Sequence, residues 1–205
     1  LYTLSSLGRY YGTIGMEADA EPYYIQAGVL AEKIHGTGSV HHAMTLNNLG
    51  VLYLQRGRYE DAYRVLHRTA EYLNDSGPSF AKSRISTAVS IASASSYLGH
   101  TKEADSLYMS ALESAREALE PNDLVLANVY NNIGLHYRTT GRHEPAGTYL
   151  KLAADIYRST YRLPHPSLAA SVSNLAKHYN DIGKPDTAGM LFEEGLEMRR
   201  MLFES

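Results

Sequence analysis

Asn47 and Asn48 are neighbours, Asn131 and Asn132 repeat the pair two periods of 42 residues later, and Asn174 follows Asn132 by one more period. A carboxamide carries a donor and an acceptor on one short arm. An extended peptide backbone presents the same two functions, so a row of such amides suits it whatever its side chains. Asparagine is a mediocre helix former, because its amide competes with the backbone, and its recurrence needs a cause. Two causes fit: a row of amides that binds a peptide or partner protein, and a polar face that is solvated or bonded to its neighbour. The first is the expectation, since paired donors and acceptors are what backbone recognition requires. Arg9, Arg138, Lys177 and Asn180 complete the expected binding face, with Asp181 opposing. These few cations predict a ligand with some acidic character.

Other chemistry is poorly supported. Ser83, Ser86, Ser90, Ser93, Ser95 and Ser96 crowd one stretch, but no Gly-x-Ser-x-Gly elbow accompanies them. Small side chains there predict either a pocket or a degenerate segment filled by its neighbours. The nine histidines show no His-Glu-x-x-His spacing. His136 and His178 lie one period apart, which predicts that they approach each other. The absence of cysteine excludes disulfides, thiolate metal sites and cysteine nucleophiles. The expectation is therefore no enzyme, no metal and no cofactor. A net charge of −3 and a pI near 6.3 supply no basic field for nucleic acid. No apolar run reaches the roughly eighteen residues of a membrane span, and the cytoplasm is the favoured compartment.

The residues that would position this face recur with the same period. Gly15, Gly57, Gly99, Gly141 and Gly183 are 42 residues apart, each followed five residues later by Ala20, Ala62, Ala104, Ala146 or Ala188. Eight before each glycine stands Leu7, Leu49, Ile91, Ile133 or Leu175, and next to it a small residue, Gly8, Gly50, Ala92, Gly134 or Ala176. Four before it come Tyr11, Tyr53, Tyr137 and Tyr179, with Ser95 the exception; nine after it come Tyr24, Leu66, Tyr108, Leu150 and Phe192. These offsets follow a helical period. Each unit reads as two antiparallel helices joined at a glycine that takes a left-handed cap, with the alanine where the helices cross closely. The repeats run over 1–42, 43–84, 85–126, 127–168 and 169–205. Leu46, Leu49 and Tyr53 are expected to point into the stack, and Met44, Asn47, Asn48, Val51 and Leu54 to the open side. At 44% hydrophobic residues, the composition is ample for stacked helices.

The Leu/Ile, small, Tyr, Gly, Ala pattern resembles the tetratricopeptide repeat. Its period exceeds that family's commonest of about 34 and is most similar to the 42-residue form of kinesin light chains. The resemblance covers the whole chain and is clearest over 165–188. It implies an all-α, right-handed superhelical solenoid of five helix-turn-helix repeats. It also implies a non-catalytic scaffold for protein–protein interaction, with asparagines of the concave groove binding the ligand. The dense basic clamp of chaperone-cofactor members is not reproduced by Arg9, Val51, Ser93, Leu135 and Lys177. The resemblance leaves two alternatives: a sensor segment of a larger effector, such as a CHAT-type caspase-like protease, and self-association through apolar ends. The array begins on a repeat boundary and closes with Leu196, Met198, Met201, Leu202 and Phe203. That apolar close predicts a fragment of a longer array, because solenoids usually end in polar caps.

Overall fold

The computed structural model describes residues 2–13, 16–162 and 164–204. Ten α-helices and no strand occur among the described residues. The first and second helices of successive repeats are α1 (Tyr2–Thr13) and α2 (Glu17–His35), then α3 (Val40–Gln55) and α4 (Tyr59–Leu73). After a 3-10 turn at Pro78–Phe80 come α5 (Ala81–Tyr97) and α6 (Thr101–Ala118). The last repeats are α7 (Leu124–Thr139) with α8 (His143–Thr160), and α9 (Pro166–Asp181) with α10 (Pro185–Glu204). The chain is an all-α repeat array. Packing divides it within α6 into two compact units, Leu1–Ala111 and Leu112–Ser205.

Local chemistry starts and stops these helices. Ser39 accepts a bond from the His42 N–H at the head of α3, and Asp123 one from the Val125 N–H at the head of α7. His165 caps α9 through Nδ1, 3.1 Å from the Ser167 nitrogen, with Pro166 at the first helical position. Each first helix ends in one motif. Gly57, Gly99, Gly141 and Gly183 have φ of 71°, 81°, 76° and 72°, the left-handed region in which a side chain is strained. In the second repeat Arg58 N–H donates to the Tyr53 carbonyl at 2.9 Å and Gly57 N–H to the Leu54 carbonyl at 3.2 Å. That pair of bonds is the Schellman closure. Equivalent bonds join His100 to Ser95, Arg142 to Tyr137 and Lys184 to Tyr179. Gly15 lies outside the described residues, but Met16 N–H donates to the Tyr11 carbonyl in the same way. Arg58 and Arg142 also lie over the Tyr53 and Tyr137 rings, 4.1 and 4.2 Å from the centroids.

Within a repeat the two helices touch at the small residue. A Cβ on Gly50 would stand 2.5 Å from Leu66, and one on Gly134 2.6 Å from Leu150 and 3.0 Å from its backbone nitrogen. Ala20, Ala62, Ala104 and Ala146 are fully buried, and Ala188 nearly so. In the first unit Leu49, Leu52, Tyr53, Leu66, Ile91 and Ala94 share one core. Leu54, expected on the open side, packs against that core as well. Leu46 is only half-buried, while Leu52, unassigned by the repeat pattern, is 2% exposed. A first helix is covered on two sides, by its own partner and by the neighbouring repeat, so a single inward stripe understates its buried arc. Leu7 and Phe192 are 37% and 41% exposed, unlike their buried equivalents Leu49 and Leu150.

Neighbouring repeats are also tied through polar groups. The Tyr53 hydroxyl donates to Glu21 Oε1 at 3.0 Å, Arg58 does so at 2.8 Å, and Arg56 pairs with Oε2. Burial alone would raise the Glu21 carboxyl, but the bonds from Arg58 and Tyr53 outweigh it and hold the group below its ordinary range. A depressed carboxylate stabilises the fold above its unfolded value and loses that contribution as pH falls through the folded one. In Glu21→Gln, urea unfolding followed by circular dichroism should show a smaller loss of stability from pH 5 to pH 3 than in the parent. Two glycines of the second unit test the packing. Gly134→Ala should cost about 1–3 kcal/mol by overpacking Leu150. Gly189→Ala, in the interior of α10 with nothing within 4 Å of the added carbon, should gain about 0.5–1 kcal/mol.

Candidate functional site

The expected binding residues all lie on first helices, and the two units hold separate parts of the set. In the first unit Arg9 is exposed on α1, and Asn47 and Asn48 are half-buried on α3. Asn47 Oδ1 accepts the Thr87 hydroxyl of α5 at 3.0 Å, which joins the second repeat to the third. Asn48 has no hydrogen-bond partner among the described residues.

The second unit brings more of the set together. Asn174 Nδ2 on α9 donates to Asn131 Oδ1 on α7 at 3.1 Å. The pair is 43 residues apart rather than 42, so one helix meets its neighbour one position out of register. After that bond Asn131 still has two amide hydrogens, and Asn174 one hydrogen and its oxygen. Asn132 turns back instead, donating to the Asn128 carbonyl one turn earlier at 2.8 Å. Arg138 Nη1 reaches Asp181 Oδ2 at 2.7 Å, again from α7 to α9. That guanidinium is neutralised by its neighbour and is not a free cation. Lys177 and Asn180 are exposed on α9.

Two contributors escape sequence reasoning. Thr87 fixes Asn47, and Asn128 accepts the Tyr157 hydroxyl at 2.7 Å while its carbonyl holds Asn132. Burial pushes Tyr157 up to about 12, so it is a donor at neutral pH. Asn128 does not recur at the repeat period, so the pattern carries no signal for it. Thr87 does recur, as Thr3, Thr45 and, with the hydroxyl kept, Ser171, and that series is the signal that could have found it. His136 and His178 take different partners. Arg142 Nη2 lies 3.0 Å from His136 Nε2, whereas His178 lies beside His143, ring centroids 6.3 Å apart. On the serine-rich helix α5, Ser90 donates to the Ser86 carbonyl and Ser93 to the Val89 carbonyl, and Ser93 also lies 2.9 Å from the Tyr108 hydroxyl of α6.

A cavity of about 510 Å³ opens in the second unit beside α6, α7 and α8, floored by Leu126, Tyr130 and Ile156. Its polar lining comprises Arg116, which lies over Tyr130, Ser159, which donates to the Ile156 carbonyl, and Asn122 and Asp155. Among the described residues no three His, Asp or Glu side chains form a metal-binding group. No described helix is long and apolar enough to cross a membrane.

The tetratricopeptide repeat family model matches residues 1–72, 83–159 and 126–201. No curated protein matches the chain in sequence. Among solved structures, all of the chain is similar to 97% of a putative kinesin light chain with nearly identical TPR-like repeats from Podosopora anserina, at 20% identity and a TM-score of 0.66. It is also similar, over 96% of its length, to 53% of a Rap protein complexed with Competence and Sporulation Factor, at 21% identity and a TM-score of 0.82. NprR in complex with its cognate peptide NprX is similar over 95% of this chain and 53% of that one, at 16% identity and a TM-score of 0.76. The chain thus spans about half the length of the last two, and at these identities the likeness is one of fold. With the family model matched over most of the chain and the glycine-capped helix pairs present in the structure, the chain belongs to the tetratricopeptide repeat family.

Proposed function

We propose that this chain is a non-catalytic protein-interaction scaffold whose first-helix face binds an extended segment of a peptide or partner protein. The observation that carries the reading is the Asn131–Asn174 pair. Each amide is held by the other, and together they keep donors and an acceptor to offer, which is what a peptide unit requires. Mutual bonding restricts their rotamers before a ligand arrives, so less ordering entropy opposes binding. NprR, a protein of similar fold, is a complex with its cognate peptide, which supports the reading. Because Asp181 already pairs with Arg138, any preference for acidic segments rests on Lys177 in this unit. A second reading, association of copies through α10, is favoured by Met190, Leu196 and Met201, which are 64%, 50% and 49% exposed on that helix.

Selection from a displayed library of linear peptides on the immobilised chain should yield binders. Changing Asn131, Asn132 and Asn174 together to Ala should weaken them by about 1.5–4.5 kcal/mol, if each lost bond counts about 0.5–1.5 kcal/mol. The loss should be similar for peptides of unrelated sequence, and the melting profile should stay cooperative. Lys177→Glu should weaken acidic peptides alone, and less so at high salt. Folded variants with undiminished capture would move the binding site to the second helices. A concentration-dependent elution volume in size-exclusion chromatography, abolished by Leu196→Glu, would favour the second reading.

A further inference from the structure

His178 is a titratable group that the binding face does not use. It sits on α9 with 4% of its surface exposed, and its Nδ1 is buried with no hydrogen-bond partner. The ring lies against α8 where Gly147 leaves room: a Cβ there would stand 2.6 Å from Nε2. Its charged and titratable neighbours come from each surrounding element. α8 contributes His143, ring centroids 6.3 Å away, and α7 contributes Arg138. The turn before α10 contributes Lys184, and α9 itself contributes Asp181 and the Tyr179 ring, 5.7 Å distant. Two of these neighbours, Arg138 and Lys184, are cationic. The carboxylate among them, Asp181, is already taken up by Arg138 at 2.7 Å.

We propose that the junction of the fourth and fifth repeats is an acid-sensitive latch, closed over a neutral His178 and loosened when that imidazole takes up a proton. A charge created on this buried ring is costly, because the neighbouring carboxylate is already paired. The packing of α9 on α8 bears the cost. Burial first, then His143, holds the imidazole below its ordinary value, and Arg138 and Lys184 add to this while Asp181 opposes it. The unfolded chain therefore binds the proton more readily than the folded one. Stability from this group is complete above about pH 6.5 and falls as pH drops below it. The same junction carries the Asn131–Asn174 and Arg138–Asp181 bonds, so loosening it would part them. The inference concerns the junction itself and stands whether or not that face binds a peptide.

The test follows the full chain by urea unfolding between pH 7.5 and 5.5, with hydrogen exchange read separately for α7 and for α9–α10. A single site changes the unfolding equilibrium constant by at most about tenfold per pH unit. The parent should lose stability on acidification, with exchange in α9–α10 accelerating beyond its intrinsic pH dependence. His178→Phe should flatten that loss, and the exposed His143→Gln should lessen it. Should His178→Phe fail to fold, NMR titration of the His178 ring in the parent and in His143→Gln still decides. A midpoint below the ordinary histidine value, rising in His143→Gln, supports the latch. An ordinary midpoint, or equal acid sensitivity of the parent and both variants, overturns it.

Discussion

The near-contact of the two helices within a repeat is the constraint on which the rest of the array depends. At Gly50 and Gly134 the first helix comes so close to Leu66 and Leu150 of the second that even a methyl group would collide. That approach is possible only because the chain reverses at a left-handed glycine. It completes burial of Leu66, Leu150 and the crossing alanines. Such contacts are individually weak, and their worth lies in density, since a core with few voids transmits small changes in volume. The stability of an array of this kind is close to a sum of repeats and their junctions.

Polar chemistry is layered onto that packing at the junctions. Glu21 gathers Tyr53, Arg56 and Arg58 in the first unit. Arg138 and Asp181 join α7 to α9 in the second, where Arg158 also reaches Glu194 at 2.9 Å. Largely exposed pairs contribute little stability each, about 0–1 kcal/mol. Their more useful effect is to fix how one first helix is presented to the next. The amides of Asn131 and Asn174 meet at 3.1 Å within that frame. The amide pair of the proposed binding face thus sits where repeats meet, and what loosens that junction would part it.

The fold was legible because its constraints recur. A backbone that must turn left-handed admits glycine, and a crossing without room admits alanine or glycine, so both rules print themselves on the sequence at every repeat. The face was half legible. Asn131 and Asn174 stood out by residue type and period, but their pairing crosses helices one residue out of register, which equal-offset reasoning does not find. Asn132 shared the register and still turned back on its own helix, because nothing in the repeat pattern decides between two rotamers. Arg138 looked like a ligand cation until Asp181 was seen to hold it. Asn128 occurs once, and a residue that does not recur leaves no trace in a periodic pattern. Thr87 recurs as Thr3 and Thr45, but its bond to Asn47 on the neighbouring helix is not fixed by the period.

The central functional claim is that paired amides between neighbouring first helices contact peptide backbone. Side-chain amide resonances of Asn131 and Asn174, followed by NMR while a library-selected peptide is added to the full chain, test it most directly. Both resonances should shift together, and a second selected peptide with unrelated side chains should reproduce the pattern. Shifts confined to α8 and α10, with the two amides unmoved at saturation, would contradict it.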